Sequence, residues 1–150
     1  MDAKAAAAEP VDAFDADVLI YAAVRGHALG RRVRALLADP ATNPETGRAG
    51  VGSVLLLPEL LARPVREDAS AELAALEALL GRLDLRPVDE ATAELAVALG
   101  ASYRLRAADA VHLATAVGAG ADRFLTNNRR DFRKTILEIE VTYPADLPEI

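Results

Sequence analysis

Apolar positions along the chain fall into short runs and into stretches with helical spacing. The short runs predict five β-strands, at Val11–Phe14, Ala49–Val51, Leu83–Val88, Arg123–Thr126 and Ile136–Thr142. Apolar residues three and four positions apart predict six helices, at Asp17–Gly26, Leu29–Ala38, Ser53–Ala62, Ser70–Gly81, Asp89–Gly100 and Ala107–Val117. Because strands alternate with helices, the sequence favours an α/β fold with a mainly parallel sheet and helices on its faces.

Prolines and small residues indicate where these elements begin and end. Ser53 and Ser70 are suitable N-caps for the third and fourth helices, and Pro40–Gly47 has the composition of a loop. Pro58 conflicts with the predicted third helix, which must either kink there or start later, whereas Pro64 is expected to help close it. Residues 1–10 are expected to be a frayed terminus, and 11–150 a single domain.

Composition narrows the possible classes of protein. With 52% hydrophobic residues, 27% charged residues and no cysteine, the chain reads as an ordinary globular protein without disulfides or thiolate metal sites. It has no signal-peptide pattern, and its longest strongly apolar run, Val54–Leu57, cannot span a bilayer, so a cytoplasmic location is expected. The net charge of −6 argues against nucleic-acid binding through bulk electrostatics. It does not argue against a nuclease, since a carboxylate site is negative until metal binds.

Polar residues follow two of the predicted strands directly. Asp15-Ala16-Asp17 comes after Phe14, and Thr126-Asn127-Asn128 comes after Leu125. Ligands of parallel sheets bind beyond the carboxyl ends of the strands, so these residues predict one crevice edged by acids and amides. Asp15 would lie there near a helix N-terminus, whereas Asp17 could equally be the N-cap of that helix.

Two further acids lie in apolar helices. Glu59 is surrounded by leucines, either as a buried ligand or as the solvent-facing residue of its helix. Asp109 falls in the first turn of its helix, where it could serve catalysis or only the helix dipole. His112, one turn later, fits a hydrogen-bonded core residue better than a ligand.

A basic cluster follows the Thr-Asn-Asn segment, formed by Arg129, Arg130, Arg133 and Lys134. It is the densest in the chain and the best candidate for contacting a phosphate backbone, although such runs are usually only solvated surface. Thr126 and the two asparagines could hold a water molecule or a phosphate oxygen, or could simply form a turn.

Four segments together resemble the PIN-domain ribonucleases, particularly the short VapC-type toxins of toxin–antitoxin pairs. They are Phe14–Ala22, Ser53–Leu61, Ala108–Ala114 and Phe124–Phe132, in the family's order. The resemblance implies a three-layer α/β/α fold and a catalytic set of Asp15, Glu59 and Asp109. Where the family often has an acid two residues after the threonine, this chain has Asn128, and Asp131 could supply the missing carboxylate.

The resemblance also implies a function. Oxygen ligands favour Mg²⁺ or Mn²⁺, held by Asp15, Glu59 and Asp109 with Asn128 or Asp131, while Thr126, Arg129, Arg130 and Arg133 would contact the substrate. The ion would activate water to hydrolyse RNA and leave a 5′-phosphate. A small antitoxin and a homodimer are the implied partners.

Two other functions remain open from the sequence. Asp15 and Asp17 also resemble the opening acid pair of haloacid-dehalogenase-type phosphatases, in which Asp15 would be the nucleophile and Asp17 the general acid. That family needs a late lysine and a late acidic pair, and only Lys134 is present. Alternatively, Asn128 could mark a PIN-like fold retained for protein binding.

Overall fold

The computed structural model describes residues 10–38 and 46–150. Its helices are α1 (Ala16–Ala23), α2 (Ala28–Ala38), α3 (Leu56–Arg66), α4 (Ser70–Leu80), α5 (Glu90–Tyr103) and α6 (Ala107–Gly118). Its strands are β1 (Asp12–Phe14), β2 (Gly50–Ser53), β3 (Leu83–Arg86), β4 (Arg123–Leu125) and β5 (Glu140–Thr142), and a 3-10 turn follows at Pro144–Asp146. The predicted alternation of strands and helices is therefore confirmed.

All five strands are parallel and lie in the order β3-β2-β1-β4-β5. Successive strand residues point to opposite faces, so Ala13 packs with α5 and α6 while Phe14 packs with α1 to α4. Both faces carry an apolar core made mostly of leucine, valine and alanine. The structure thus has the expected three α/β/α layers, and β1 is the central strand.

Helices α1 and α2 approach each other closely at Gly30. A Cβ atom on Gly30 would lie 2.0 Å from the carbonyl oxygen of Tyr21 on α1. Only glycine allows this backbone contact. The contact holds α1 against α2, and the N-terminus of α1 is the end that carries the acids after β1.

The predicted helix starts and the roles of the prolines need correction. Ser53 is the last residue of β2, and Leu55 is the N-cap of α3; Ala69 precedes α4, with Ser70 already helical. The later start places Pro58 in the first turn of α3, where no intrahelical N–H is required. The expectation that Pro64 closes the helix is wrong, because α3 continues to Arg66 with the Pro64 ring buried in the core.

Several predicted limits differ by a few residues. The strand expected at Ile136–Thr142 is only Glu140–Thr142, because Ile136 and Ile139, three positions apart, enter the core from irregular backbone and do not alternate as in a strand. The strand at Leu83 ends at Arg86, while α5 extends past Gly100 to Tyr103.

Residues 1–9 and 39–45 lie outside the described residues, so the frayed terminus and most of the predicted Pro40–Gly47 loop stay predictions. None of the helices in the described part of the chain has the length and apolar character needed to span a membrane.

Candidate active site

Asp15 lies at the carboxyl end of β1 and caps α1. Its Oδ1 accepts a hydrogen bond from the backbone N–H of Ala16 at 2.8 Å, and its Oδ2 accepts one from the Thr126 hydroxyl at 2.8 Å. Only 6% of Asp15 is exposed, and burial raises its pKa, although nearby His112 and the Thr126 hydrogen bond act in the opposite direction. Two neighbouring strands therefore fix this carboxylate, as their sequence positions predicted.

Asp17, in the first turn of α1, points toward the same strand end. Its Oδ2 accepts a hydrogen bond from the backbone N–H of Asn127 at 3.0 Å, while its Oδ1 is buried with no hydrogen-bond partner in the described residues. Burial, and then the charge of Asp15, raise the pKa of Asp17 to about 6. The N-cap is Asp15, so the structural role considered for Asp17 is excluded. The resemblance assigns Asp17 no role in the PIN-type site, although its spacing of two from Asp15 is a signal.

Glu59 and His112 form a pair between α3 and α6. Glu59 Oε1 lies 2.6 Å from His112 Nε2, and the two side chains are 35% and 2% exposed, respectively. His112 Nδ1 is buried without a partner in residues 10–38 and 46–150. The Glu59 carboxylate is therefore placed to accept a hydrogen bond from an Nε2–H of His112. His112 is a hydrogen-bonded core residue whose partner is one of the candidate catalytic acids.

Asp109 lies in the first turn of α6. Burial raises its pKa, and the charges of Asp15 and Asp131 raise it further, with a smaller contribution from Glu59. The carboxylates of Asp15 and Asp131 thus lie near enough to Asp109 to act on it electrostatically. The charges of five acids thus act on one another near the carboxyl end of β1, and we call this group the acidic crevice: Asp15, Asp17, Glu59, Asp109 and Asp131.

Asn128 and Asp131 are bound to each other. The Asn128 amide nitrogen donates to Asp131 Oδ2 at 3.0 Å, and the Asn128 amide oxygen accepts from the Asp131 backbone N–H at 3.3 Å. The Asn128 backbone N–H donates to Thr126 Oγ1 at 3.1 Å. The amide is thus occupied in holding the turn, and Asp131 is the member of the pair whose charge acts on Asp109.

The predicted basic cluster divides into different environments. The Arg129 guanidinium lies 4.4 Å from the centre of the Tyr143 ring, in a cation–π contact. Arg130 is highly exposed, and Arg133 donates to its carbonyl oxygen at 3.3 Å. Lys134 Nζ lies 2.5 Å from Asp146 Oδ2. This ion pair occupies the lysine that the phosphatase alternative would need.

The chemistry of these donors fits a hard divalent cation. The side chains offer carboxylate oxygens, and the buried Asp17 Oδ1 has no partner in the described segments. Within those segments, no three His, Asp or Glu side chains lie close enough together to hold an ion directly. Mg²⁺ usually keeps several waters and needs only one or two protein carboxylates, so the arrangement remains compatible with it.

Comparisons with known proteins agree with this fold. The sequence matches the family model of the PIN domain over residues 13–136. A toxin–antitoxin complex from Klebsiella pneumoniae contains a chain with 24% identity and a TM-score of 0.68, over 93% of this chain and 99% of that one.

Two other solved structures are similar. VapBC2 from Rickettsia felis, bound to a DNA fragment from its promoter, has 16% identity and a TM-score of 0.67, over 89% of this chain and 98% of that one. FitAB bound to the IR36 DNA fragment has 19% identity and a TM-score of 0.64, over 93% of this chain and 99% of that one. At these identities the likeness establishes the fold. Comparison with curated proteins gives no significant match.

Proposed function

Because this chain belongs to the PIN domain family, as the match over residues 13–136 shows, we propose that it is a metal-dependent endoribonuclease and the toxin of a type II toxin–antitoxin pair. The observation that carries the proposal is the acidic crevice, in which burial and mutual repulsion raise the pKa of Asp15, Asp17 and Asp109. A divalent cation relieves that repulsion, so the crevice is suited to binding one.

Asp15, Glu59 and Asp109 are the residues we assign to catalysis, with Asp17 and Asp131 beside them. When bound, Mg²⁺ or Mn²⁺ would supply positive charge for the scissile phosphate and would acidify a water molecule. Thr126 and the Ala16 N–H hold the Asp15 carboxylate in place, and His112 holds Glu59. Hydrolysis then joins a water oxygen to phosphorus and breaks the bond to the 3′ oxygen, which leaves a 5′-phosphate.

An antitoxin partner is part of the proposal. Its support is the fold shared with chains from toxin–antitoxin complexes. We propose that a small antitoxin covers the crevice and that the toxin forms a homodimer in the cytoplasm.

The test is an RNA cleavage assay on purified, antitoxin-free protein. Mixed-sequence RNA is incubated with Mg²⁺, Mn²⁺ or EDTA, and the proteins compared are wild type, Asp15→Ala, Asp109→Asn and Glu94→Gln. Glu94 is an exposed acid on α5 and serves as the control for loss of one charge. We expect cleavage only with metal, in wild type and Glu94→Gln, and products that a 5′-phosphate-dependent exonuclease degrades.

Equal cleavage by wild type and Asp109→Asn would remove Asp109 from the mechanism. No cleavage with any metal, together with no rise in melting temperature on Mn²⁺ addition, would favour the protein-binding module instead. The engagement of the Asn128 amide with Asp131 is the observation that keeps this second function in view.

A further inference from the structure

A second concave site opens beside the acidic crevice, between the end of α5 and the turn that follows Asn128. This pocket has a volume of about 430 Å³, and the side chains that matter in it are Tyr103, Arg104, Arg130, Asp131, Arg133 and Thr135. We call it the arginine pocket. Asp131 belongs to both sites, because it lines this pocket and its charge also acts on Asp109.

The lining of the arginine pocket has a net positive charge, although the net charge of the protein is −6. Three arginines and one aspartate line it. Glu138, which is not part of the lining, accepts a hydrogen bond from the Tyr103 hydroxyl at 2.5 Å. The pocket is therefore a local site for an anion.

The guanidinium groups of the arginine pocket are not consumed by ion pairs. Arg104 has no ion-pair partner among residues 10–38 and 46–150, and Arg133 donates only to a backbone carbonyl. Arg130 Nε lies 3.6 Å from Asp131 Oδ1, with 80% of its side chain exposed. Guanidinium groups with free N–H donors bind phosphate oxygens in a bidentate fork.

Arg104 occupies an unusual backbone position. It is the C-cap of α5, in the left-handed conformation with φ of 57° and ψ of 46°. Glycine is favoured at such a helix end because a Cβ is strained there. A long cationic side chain is present in its place, and residues held in strained conformations concentrate at functional sites.

We propose that the arginine pocket binds a backbone phosphate of the RNA strand next to the phosphate that is cleaved. The inference rests on the proposed ribonuclease function. A single strand crossing the acidic crevice would pass Asp131 and bring its neighbouring phosphates to Arg104, Arg130 and Arg133. The contact reads the phosphate chain and not the bases, so it contributes affinity and register without sequence preference.

The test measures RNA affinity in a background that does not cut. Fluorescein-labelled single-stranded RNA is titrated with Asp109→Asn protein in Mg²⁺ over a series of salt concentrations, and binding is followed by anisotropy. The variants added to this background are Arg104→Gln, Arg104→Lys and Arg31→Gln. Because glutamine also has a Cβ, Arg104→Gln keeps the backbone strain at position 104 and removes the charge. Arg31 is an exposed arginine on α2, on the opposite face of the sheet.

Arg104→Gln should weaken RNA binding about tenfold and should reduce the slope of log affinity against log salt by about 0.7. Arg104→Lys should keep the slope and lose part of the affinity, and Arg31→Gln should match its parent. Melting temperatures of all variants should agree.

Equal affinity and equal slope for Arg104→Gln and its parent would overturn the pocket proposal while leaving metal-dependent cleavage by wild type untouched. A parent that binds no RNA would overturn both proposals. Tighter binding of a polyglutamate peptide than of RNA, lost in Arg104→Gln, would assign the pocket to an acidic protein partner and would also overturn it.

Discussion

Replacing Asp17 with asparagine should stabilise the metal-free protein at neutral pH. Asp17 is held among other acids with one oxygen unpartnered, and its pKa is raised from the ordinary 3.8 to about 6 by burial and by Asp15. Its ionised form is thus less stable in the folded chain than in the unfolded one. Asparagine keeps an oxygen that can accept the Asn127 N–H and removes the charge.

The size of the effect follows from the pKa. A rise from 3.8 to about 6 corresponds to about 3 kcal/mol of unfolding free energy, and screening by water at the partly open site reduces it to about 2 to 3 kcal/mol. An acid with a raised pKa costs stability above its folded pKa and costs nothing below its unfolded pKa. The advantage of Asp17→Asn should therefore be full at about pH 7.5 and should vanish near pH 4.

Urea and thermal unfolding of EDTA-treated wild type and Asp17→Asn at about pH 4 and about pH 7.5 would measure this. At the higher pH we expect a melting temperature about 5 to 10 °C above wild type. Glu94→Gln, which removes an exposed charge, should stay within about 0.5 kcal/mol of wild type. If Asp17→Asn were no more stable than wild type at pH 7.5, or equally stabilising at both pH values, the assigned cost of burying the Asp17 charge near Asp15 would be wrong.

Three further substitutions test the contacts around the crevice. Gly30→Ala should destabilise the fold by about 3 kcal/mol in thermal unfolding, because its Cβ would lie 2.0 Å from the Tyr21 carbonyl oxygen. Gly26→Ala, with open space around the new Cβ, is the control, and equal effects of the two substitutions would refute the close approach. Thr126→Val should cost about 1 to 3 kcal/mol of unfolding free energy in urea, because the hydrogen bond to Asp15 is lost. Thr142→Val is the control and should cost little, since that buried hydroxyl has no partner in the described residues. A larger loss of stability in Thr142→Val than in Thr126→Val would contradict the assignment. His112→Leu should lower metal-dependent RNA cleavage about tenfold or more while the protein stays folded. His112→Gln can still donate a hydrogen bond to Glu59 and should retain more activity. Full activity in His112→Leu would show that the contact between His112 and Glu59 is dispensable.

The sequence predicts the crevice well where the acids follow strands. Asp15 and Thr126 stand directly after apolar strand residues, and parallel neighbouring strands bring their carboxyl ends together. The hydrogen bond between the two side chains is the structural counterpart of that pattern.

Other parts of the site depend on tertiary packing that no local pattern contains. Glu59 and His112 are 53 positions apart, and their pairing requires α3 and α6 to meet. Asp17 likewise accepts its hydrogen bond from the backbone of Asn127, 110 positions away. Pro64 shows the same limit, because its buried contacts override the usual tendency of proline to end a helix.

The order of the strands also has a consequence for folding. Of the five described strands, the central strand β1 is synthesised first and its neighbour β4 is synthesised fourth. The hydrogen bond from Thr126 to Asp15 accordingly spans 111 positions. Contacts of such high sequence separation form slowly, after most of the chain is available. On the ribosome, Asp15 therefore has no hydroxyl partner until residue 126 has emerged. If the chain is a toxin, a cell in which synthesis stops before β4 holds only an inactive fragment.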